Sequence, residues 1–547
     1  MKALHIDQAT ANPESPQKKS HEAIKGADIF GWNLLSALLE YGTYDTYLLQ
    51  GLSEEKKQIL LDSGLSASSA KRMVPVPFGG PLPLKDSDSL VFLTAGRYLN
   101  ALATLRHKLR RFDAPACGFI HSINSPRIVL ALLQQCFVGL SETDLLFCSS
   151  RAGMKTIDAY VDEINRLLPS ELHYAVRRVL VPLGVSMPVV AQDARARLRQ
   201  NINVESEAVL ALYFGRLSQA SKCDLGPLLV AFGRLVKRGT KLCLILAGDD
   251  TQSNEAPRLE SLAQELGCEN NVRVWPNPSA QEKHVLYSGA DFFVSPSDNM
   301  QETFGLAVAE ALAYGLPAIV SDWNGYRDLV KDGETGFLIP SVLPPGFEDL
   351  RLCDCVTSML EEDSLAQSTT IDVYALSDRM EKLVADRDLR MRMGQAARRF
   401  AECTCSWRAV VKRYEELWEE SLKTASANNS RSGGACRLLS LPLEKCFGHY
   451  ASTKRSREEK CFLTEEGREW LRRPARFYFL NQSSAACPEQ FAHILRKISG
   501  SPGVSVSEAA NSVVGAAGIE STSAAYWALA RLFKYGLVSD KEGISRG

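Results

Sequence analysis

The sequence predicts an α/β protein with two doubly wound domains in tandem and a smaller, mainly helical domain behind them. Three observations predict it. Short apolar runs alternate with helix-period stretches almost from the first residue. The alternation pauses over Pro188–Val204, which is polar and rich in Arg and Gln, and then restarts. It gives way to a polar, small-residue stretch, Ala425–Gly434, beyond which three helical patterns follow. Strands buried on both faces of a parallel sheet read as near-continuous apolar runs, and the helices between them cover the sheet.

In the first domain the opening strand lies in Met1–Gln8, around Ala3, Leu4, His5 and Ile6. Leu90–Leu93, Cys117–Ile120, Leu145–Cys148 and Arg178–Val181 follow as strands, each punctuated by Gly, Ser or Pro, with helices such as Phe30–Tyr41 and Pro126–Gln135 between them. The second domain restarts with Ala208–Tyr213, Lys241–Ala247, Asn271–Val274, Phe292–Val294 and Ala318–Val320. Residues 350–375 read as an insertion, and a helical stretch then runs to about Lys423. Behind the linker, Lys454–Lys460 is dense in charge, and Pro488–Ile498, Ser505–Val514 and Ser521–Tyr535 are helical patterns. Their order, ending on Gly536-Leu537-Val538, suggests a helix-turn-helix module with a wing. The expected domains are 1–190, 205–424, a linker and basic segment at 425–480, and a winged-helix-like domain at 481–547.

Composition narrows the function classes. The chain has 547 residues, 45% hydrophobic and 23% charged, which excludes wholesale disorder, collagen-like sequence and coiled coil. Its net charge of −1 gives no global field toward nucleic acid or anionic lipid, so membrane contact is expected to be peripheral at most. The average hides a split: from residue 425 onward there are 17 Lys+Arg against 11 Asp+Glu, a balance of +6, which leaves −7 for the rest. No apolar run is long enough for a transmembrane helix, and the first residues lack the apolar core of a signal peptide, so a cytoplasmic protein is expected. The 14 cysteines are scattered. The pairs Cys353/Cys355 and Cys403/Cys405 leave a thiolate metal site open beside reduced thiols, but their spacing is not that of zinc knuckles and no His is near. No metal is expected in the site.

The chemistry concentrates in Pro296–Pro340. A strand ends at Ser295, Glu302 follows, and Thr303, Phe304, Gly305 and Leu306 open a helix that carries Glu310. Backbone N–H groups at such a helix start, beside the C-terminal edge of a parallel sheet, bind phosphate or sugar oxygens. Carboxylates suit vicinal hydroxyls because each accepts two hydrogen bonds. After the strand ending at Phe214, Gly215, Arg216 and Lys222 offer two cations six residues apart, the charge that a departing diphosphate needs.

This constellation resembles the retaining, nucleotide-sugar-dependent glycosyltransferases of family 4, which have the GT-B fold, two Rossmann-like domains facing a cleft. Glu302 and Glu310, Gly315-Leu316-Pro317, Gly325 and the turn Asp332–Gly336 stand at the family's places. The resemblance covers roughly residues 1–424 and is strongest in the second domain. It implies that Glu302 contacts the donor sugar, that Glu310 holds the nucleotide ribose, and that Arg216 and Lys222 grip the diphosphate. Cys223 departs from the glycine usual after that lysine. His121, just past a strand end, resembles the histidine beside the transferred sugar; a satisfied loop histidine is the plainer alternative. Gly26, before a helix, resembles the glycine turn that approaches the donor phosphate. Asp249, with Asp250, resembles a turn near the nucleotide, and Trp275 either lines the base pocket or packs in the core. The helix around Trp407–Lys423 resembles the family's final helix, which crosses back to the first domain.

The implied activity is transfer of a hexosyl group from a nucleoside diphosphate sugar, with retention, to a glycan, lipid or peptide acceptor, without a cofactor. The alternative is a nucleotide-sugar sensor that reports through its C-terminal domain. That domain falls outside the resemblance. The start of its last helix, Glu520–Ala525, has no cation before Arg531, which disfavours DNA reading and favours a protein or peptide partner or self-association.

Overall fold

The computed structural model describes residues 1–7, 26–52, 57–58, 62, 66–76, 82–121, 123–124, 126–219, 221–343, 345, 347, 369–427, 445, 455–473, 488–501, 503–515 and 522–542. The chain divides into two compact units, Met1–Ser440 and Leu441–Gly547.

The first unit holds two parallel sheets. β1 (Lys2–Ile6), β2 (Thr46–Gln50), β3 (Met73–Val76), β4 (Ser89–Leu93), β5 (Ala116–Phe119), β6 (Leu145–Cys148) and β7 (Arg177–Leu180) run in the order β3-β2-β1-β4-β5-β6-β7. β8 (Val209–Phe214), β9 (Leu242–Gly248), β10 (Val272–Pro276), β11 (Phe292–Ser295), β12 (Ala318–Ser321) and β13 (Gly336–Ile339) run β10-β9-β8-β11-β12-β13. Every pairing in both sheets is parallel. The apolar runs of the sequence are these strands, and Leu90–Leu93, Leu145–Cys148 and Leu242–Ala247 are all buried. Strand order reverses between β1 and β4 and between β8 and β11, and such switch points open a crevice at the carboxyl ends of the strands.

The segment 188–204, read as a polar pause, contains a helix, Ala194–Asn201. Its inward side is Ala194, Leu198 and Arg199, and buried Arg199 forms an ion pair with Asp291, whose carboxylate also accepts from the Leu210 N–H at 2.7 Å. An arginine replaces an apolar residue on that face, which hides the helical period.

Two chain crossings lie side by side between the sheets. Val185 N–H donates to the Cys405 carbonyl at 2.7 Å, and Trp407 N–H returns to the Val185 carbonyl at 3.2 Å. A Cβ at Gly184 would sit 2.2 Å from the Trp407 ring, so only glycine fits there. Helix Trp407–Ala427 then packs on the first domain. Glu415 accepts from the Thr43 N–H at 2.6 Å and its hydroxyl at 2.8 Å, and Tyr414 and Trp418 are buried beside Phe119, Phe147 and Tyr44. Arg151, at the start of helix Arg151–Leu167, donates through its backbone N–H (2.6 Å) and guanidinium (2.8 Å) to Asp328 of the second domain.

His5 sits on the central strand β1, 1% exposed, beside the Phe92 ring, and its Nδ1 has no partner. Burial lowers its pKa from 6.5 to about 4. Between those values the unfolded chain binds a proton that the folded chain refuses, so stability falls as pH falls through that window. His5 alone is expected to remove about 3 kcal/mol between pH 7 and pH 4. His5→Leu should flatten that part of a urea-midpoint profile against pH.

The second unit, described by itself, is mainly helical. β14 (Lys460–Leu463) is the central strand of an antiparallel sheet with β15 (Val504–Ser505) and β16 (Val538–Ser539). Helices Glu465–Arg472, Pro488–Ser499, Val506–Asn511 and Thr522–Lys534 surround a core that includes Trp470, Phe491, Leu495 and Leu529. The segment read as a linker and basic stretch therefore contributes a strand and a helix to this unit. Four residues of β14 directly after a charge run give too short an apolar signal to stand out. The Ala425–Gly434 stretch begins as the end of helix Trp407–Ala427, and the rest of it, with all of 350–368 including Cys353 and Cys355, lies outside the described residues. Among the described residues no helix is long and apolar enough to cross a membrane.

Candidate functional site

The site grows from the β8/β11 switch point. β8 and β11 are hydrogen-bonded neighbours, so the loops that leave their carboxyl ends, 215–225 and 296–305, meet. They are joined at several points. Ser297 Oγ donates to the Lys222 carbonyl at 3.2 Å, the Asp224 N–H reaches the Asp298 carboxylate at 3.3 Å, and Cys223 Sγ lies 3.2 Å from the Pro296 carbonyl. Cys223 is 2% exposed, so the residue that departs from the expected glycine is an apolar anchor beneath the loop. Gly215 and Gly248 touch through their backbones: a Cβ on Gly248 would lie 1.5 Å from the Gly215 carbonyl oxygen. Gly248 also has φ +150°, so glycine is required for the β8 and β9 ends to approach.

Arg216 is held from three directions. Its guanidinium donates to Ser221 Oγ, the Ser221 carbonyl and Gln301 Oε1, each at 3.0 Å. Lys222 Nζ forms an ion pair with Glu302. Glu302 also accepts from the Phe304 N–H at 3.4 Å and from the Gly305 N–H, the first amides of the turn into helix Leu306–Ala313. Burial pushes the Glu302 carboxyl up, but Lys222 and these two amides outweigh it and hold the pKa below the ordinary carboxylate value. The carboxylate is therefore ionised at neutral pH. Asn324, at φ 45°, donates from its side chain to the Glu302 carbonyl, and the Trp323 indole N–H donates to the Asn299 carbonyl at 3.0 Å. Gly305 has φ +102°, and a Cβ there would meet the Tyr326 ring at 2.5 Å. Thr303 and Phe304 are buried behind this turn.

Leu306 and Glu310, one turn apart on one helix face, line a cavity of about 210 Å3 between the two α/β domains. Phe30, Gly184, Val185 and Trp407 form its other wall. On the Glu310 side, Lys283 donates to Oε1 at 2.6 Å and the buried Tyr287 hydroxyl lies 3.5 Å from Oε2. Neither Lys283 nor Gln301 was singled out in the sequence. Lys283 stands 27 residues before its partner on another helix, and Gln301 has no motif around it beyond its place beside Glu302.

The structure brings Gly215, Arg216, Lys222, Glu302, Thr303, Phe304, Gly305, Leu306 and Glu310 to one sheet edge. Three expected residues stand apart. Asp249 touches the cluster through its backbone: its carbonyl accepts the Leu217 N–H at 2.8 Å, while its carboxylate closes its own turn onto Thr251 (3.0 and 2.6 Å). Asp250 is buried and caps helix Ala256–Glu265 through the Glu255 and Ala256 N–H groups. His121 bonds through Nε2 to the Ala95 carbonyl at 2.6 Å and packs edge-on against Phe30, so a cavity-lining ring connects it to the site. Gly26 opens helix Gly26–Tyr41, which also supplies Phe30 and Asn33 to the cavity wall. Trp275 is half-buried against the core. Cys403 is exposed and Cys405 buried at the end of helix Arg387–Thr404, so their side chains meet different surroundings.

Two cations, the amides of a helix start and two carboxylates at the carboxyl edge of a parallel sheet can hold a polyanion together with hydroxyl groups. Residues 194–349 match the family model for glycosyl transferases group 1. The match spans β8 to β13 and includes every residue of this cluster. Among curated proteins, a D-inositol 3-phosphate glycosyltransferase of Geodermatophilus obscurus is 32% identical over 187 residues, covering 32% of this chain and 40% of that protein. The enzyme of the same name from Saccharomonospora viridis is 33% identical over 190 residues, covering 34% and 42%. An alpha-monoglucosyldiacylglycerol synthase of Streptococcus pneumoniae is 29% identical over 181 residues, covering 32% and 40%. The chain thus spans less than half the length of these relatives.

Among solved structures, Anabaena HepE in complex with UDP superposes with a TM-score of 0.51 at 16% identity, over 77% of this chain and 100% of that one. A glycosyltransferase from Rickettsia africae gives 0.51 at 14% identity, over 77% and 98%. The GT-B expectation stands: two parallel-sheet Rossmann-like domains form the first unit.

Proposed function

We propose that this chain is a cytoplasmic, retaining glycosyltransferase that moves a hexosyl group from a nucleoside diphosphate sugar to an acceptor hydroxyl. The observation that carries the reading is the joint placement of Lys222, Glu302 and the Phe304–Leu306 helix start at the β8/β11 switch point, with Glu310 on the adjoining cavity wall. HepE, the fold neighbour, was solved with UDP, which favours a uridine donor.

In this reading the diphosphate lies against Arg216, Lys222 and the helix-start amides, the ribose on Glu310 and the sugar beside Glu302 and His121. The anomeric carbon loses its bond to the diphosphate oxygen and gains one to the acceptor oxygen on the same face. The acceptor proton passes to the leaving phosphate oxygen, so the products are the glycosylated acceptor and a nucleoside diphosphate. The protein supplies fixed positive charge where negative charge develops. Cleft closure about the paired crossings at Val185 and Trp407 would exclude water and limit donor hydrolysis.

The acceptor remains a glycan, lipid or peptide in this proposal. The second unit is proposed to contact protein, not DNA. Trp527, 63% exposed, stands on helix Thr522–Lys534, whose cations are confined to its last turn. The test is incubation with radiolabelled UDP-sugars and acceptor pools of each class, with the product's anomeric configuration read by NMR. A product with the donor's configuration supports the reading. An inverted product overturns the retaining step, and no transfer with any donor overturns the enzyme.

A further inference from the structure

Lys283 is a charged group on the cavity wall that the mechanism above leaves without a task. The surroundings fix it closely. Ser279 and Glu282 close a capping box at the start of helix Ala280–Gly289, with the Ser279 N–H on Glu282 at 2.7 Å and the Glu282 N–H on Ser279 Oγ at 3.2 Å. This locks the turn from which Lys283 leaves. Its ammonium then lies 5.3 Å from the centre of the Phe214 ring, 5.8 Å from that of Tyr287, and 2.6 Å from Glu310 Oε1. Tyr287 is itself pinned, stacked on Tyr314 at 5.1 Å and on Phe293 at 5.9 Å.

The pair is half-exposed, 33% for Lys283 and 29% for Glu310, where an ion pair adds little to stability. Folding is therefore a weak reason for placing a lysine over two aromatic rings at a cavity wall. Its effect on Glu310 is a stronger one. A carboxylate has about four lone-pair sites. Lys283 takes one on Oε1, and the Tyr287 hydroxyl, at 3.5 Å, stands by one on Oε2. The Tyr287 hydroxyl is also 3.3 Å from the Ala307 carbonyl, so each Glu310 oxygen keeps at least one acceptor site, and two vicinal hydroxyls need one each.

We propose that Lys283 is a positioning residue that fixes the Glu310 carboxylate in the orientation for both hydroxyls of a ribose, and so sets the discrimination between ribo- and deoxyribonucleotides. This rests on the reading of Glu310 as the ribose-binding group. Lys283 acts through Glu310 and touches no reacting atom.

Calorimetry with the full chain tests it, with UDP and 2′-deoxy-UDP as probes and wild type, Lys283→Met, Lys283→Arg and Glu310→Gln as proteins. Met keeps the stem over the rings and removes the charge. Wild type should prefer UDP by about 10-fold or more, the worth of one hydrogen bond to a charged group. Lys283→Met should bring that preference below about threefold, Lys283→Arg should retain it, and Glu310→Gln should lose it. Melting curves of the Lys283 variants should overlay wild type, so a lost preference is not a lost fold. An unchanged preference in Lys283→Met overturns the Lys283 role and leaves the Glu310 reading intact. Equal binding of the two probes by wild type, or binding of neither, overturns the ribose reading and the Lys283 role with it.

Discussion

Lys222→Ala is expected to lower the turnover of sugar transfer by about 100- to 1,000-fold, the usual loss when one fixed donor to developing transition-state charge is removed. Donor KM should rise as well, because Lys222 also faces the diphosphate of the bound donor, and turnover falls further because negative charge grows in the transition state. The variant also strips Glu302 of its ion-pair partner, leaving a carboxylate that is 10% exposed with only the Phe304 and Gly305 amides against it. Its pKa should therefore rise, and the acid limb of the rate profile should move to higher pH. Steady-state kinetics across pH separates the two effects: the drop in turnover persists on the plateau, whereas the shift of the limb reports Glu302. Glu302→Gln in the Lys222→Ala background should abolish the shifted limb.

The second large effect concerns the frame of the first domain. Arg106, on helix Leu99–Leu109, and Asp144, just before β6, form an ion pair of 2.6 Å at 6% and 0% exposure. Asp144 also accepts the Ala116 N–H and the Ser141 N–H, both at 2.7 Å, and Arg106 donates to the Ala114 and Gly139 carbonyls. Asp144→Ala leaves a buried guanidinium without its anion and two backbone amides, of Ala116 and Ser141, without an acceptor. A loss of about 3–5 kcal/mol is expected, seen as a fall in melting temperature of roughly 10 °C. Replacing both partners with apolar residues of similar volume should recover much of it, because the cost lies mainly in the unpaired charge.

The sequence revealed most where one residue type serves one purpose. Strands β4 to β6, β8, β9, β11 and β12 lie inside their sheets and read as near-continuous apolar runs, so the tandem α/β plan is legible, while β10 at a sheet edge carries Arg273. β2 and the edge strand β3 give weaker signals, since Thr46–Gln50 carries polar ends and Met73–Val76 carries Pro75. Helix Ala194–Asn201 was hidden because Arg199 faces inward and takes its partner, Asp291, from 92 residues away. In the site, the Glu302 and Glu310 spacing and the Arg216-to-Lys222 loop were readable because local chain geometry carries them. The contacts that tune them were not. Gln301 on Arg216, Lys283 on Glu310 and Asn324 on the Glu302 carbonyl all come from tertiary placement. Asp249, expected from the resemblance to stand near the nucleotide, joins the cluster through its backbone carbonyl, and its carboxylate accepts from Thr251.

The most direct measurement is the thermal stability of the full chain with UDP, ADP, GDP and their hexose conjugates, for wild type, Lys222→Ala and Glu310→Ala. A nucleotide at a hundred times its Kd should stabilise wild type by about 2.7 kcal/mol. The account predicts a shift for one nucleotide class that both variants lose while their unliganded melting temperatures stay close to wild type. A shift that survives in both variants would place the nucleotide elsewhere in the chain and contradict the site, and no shift with any of these ligands would contradict nucleotide-sugar binding itself.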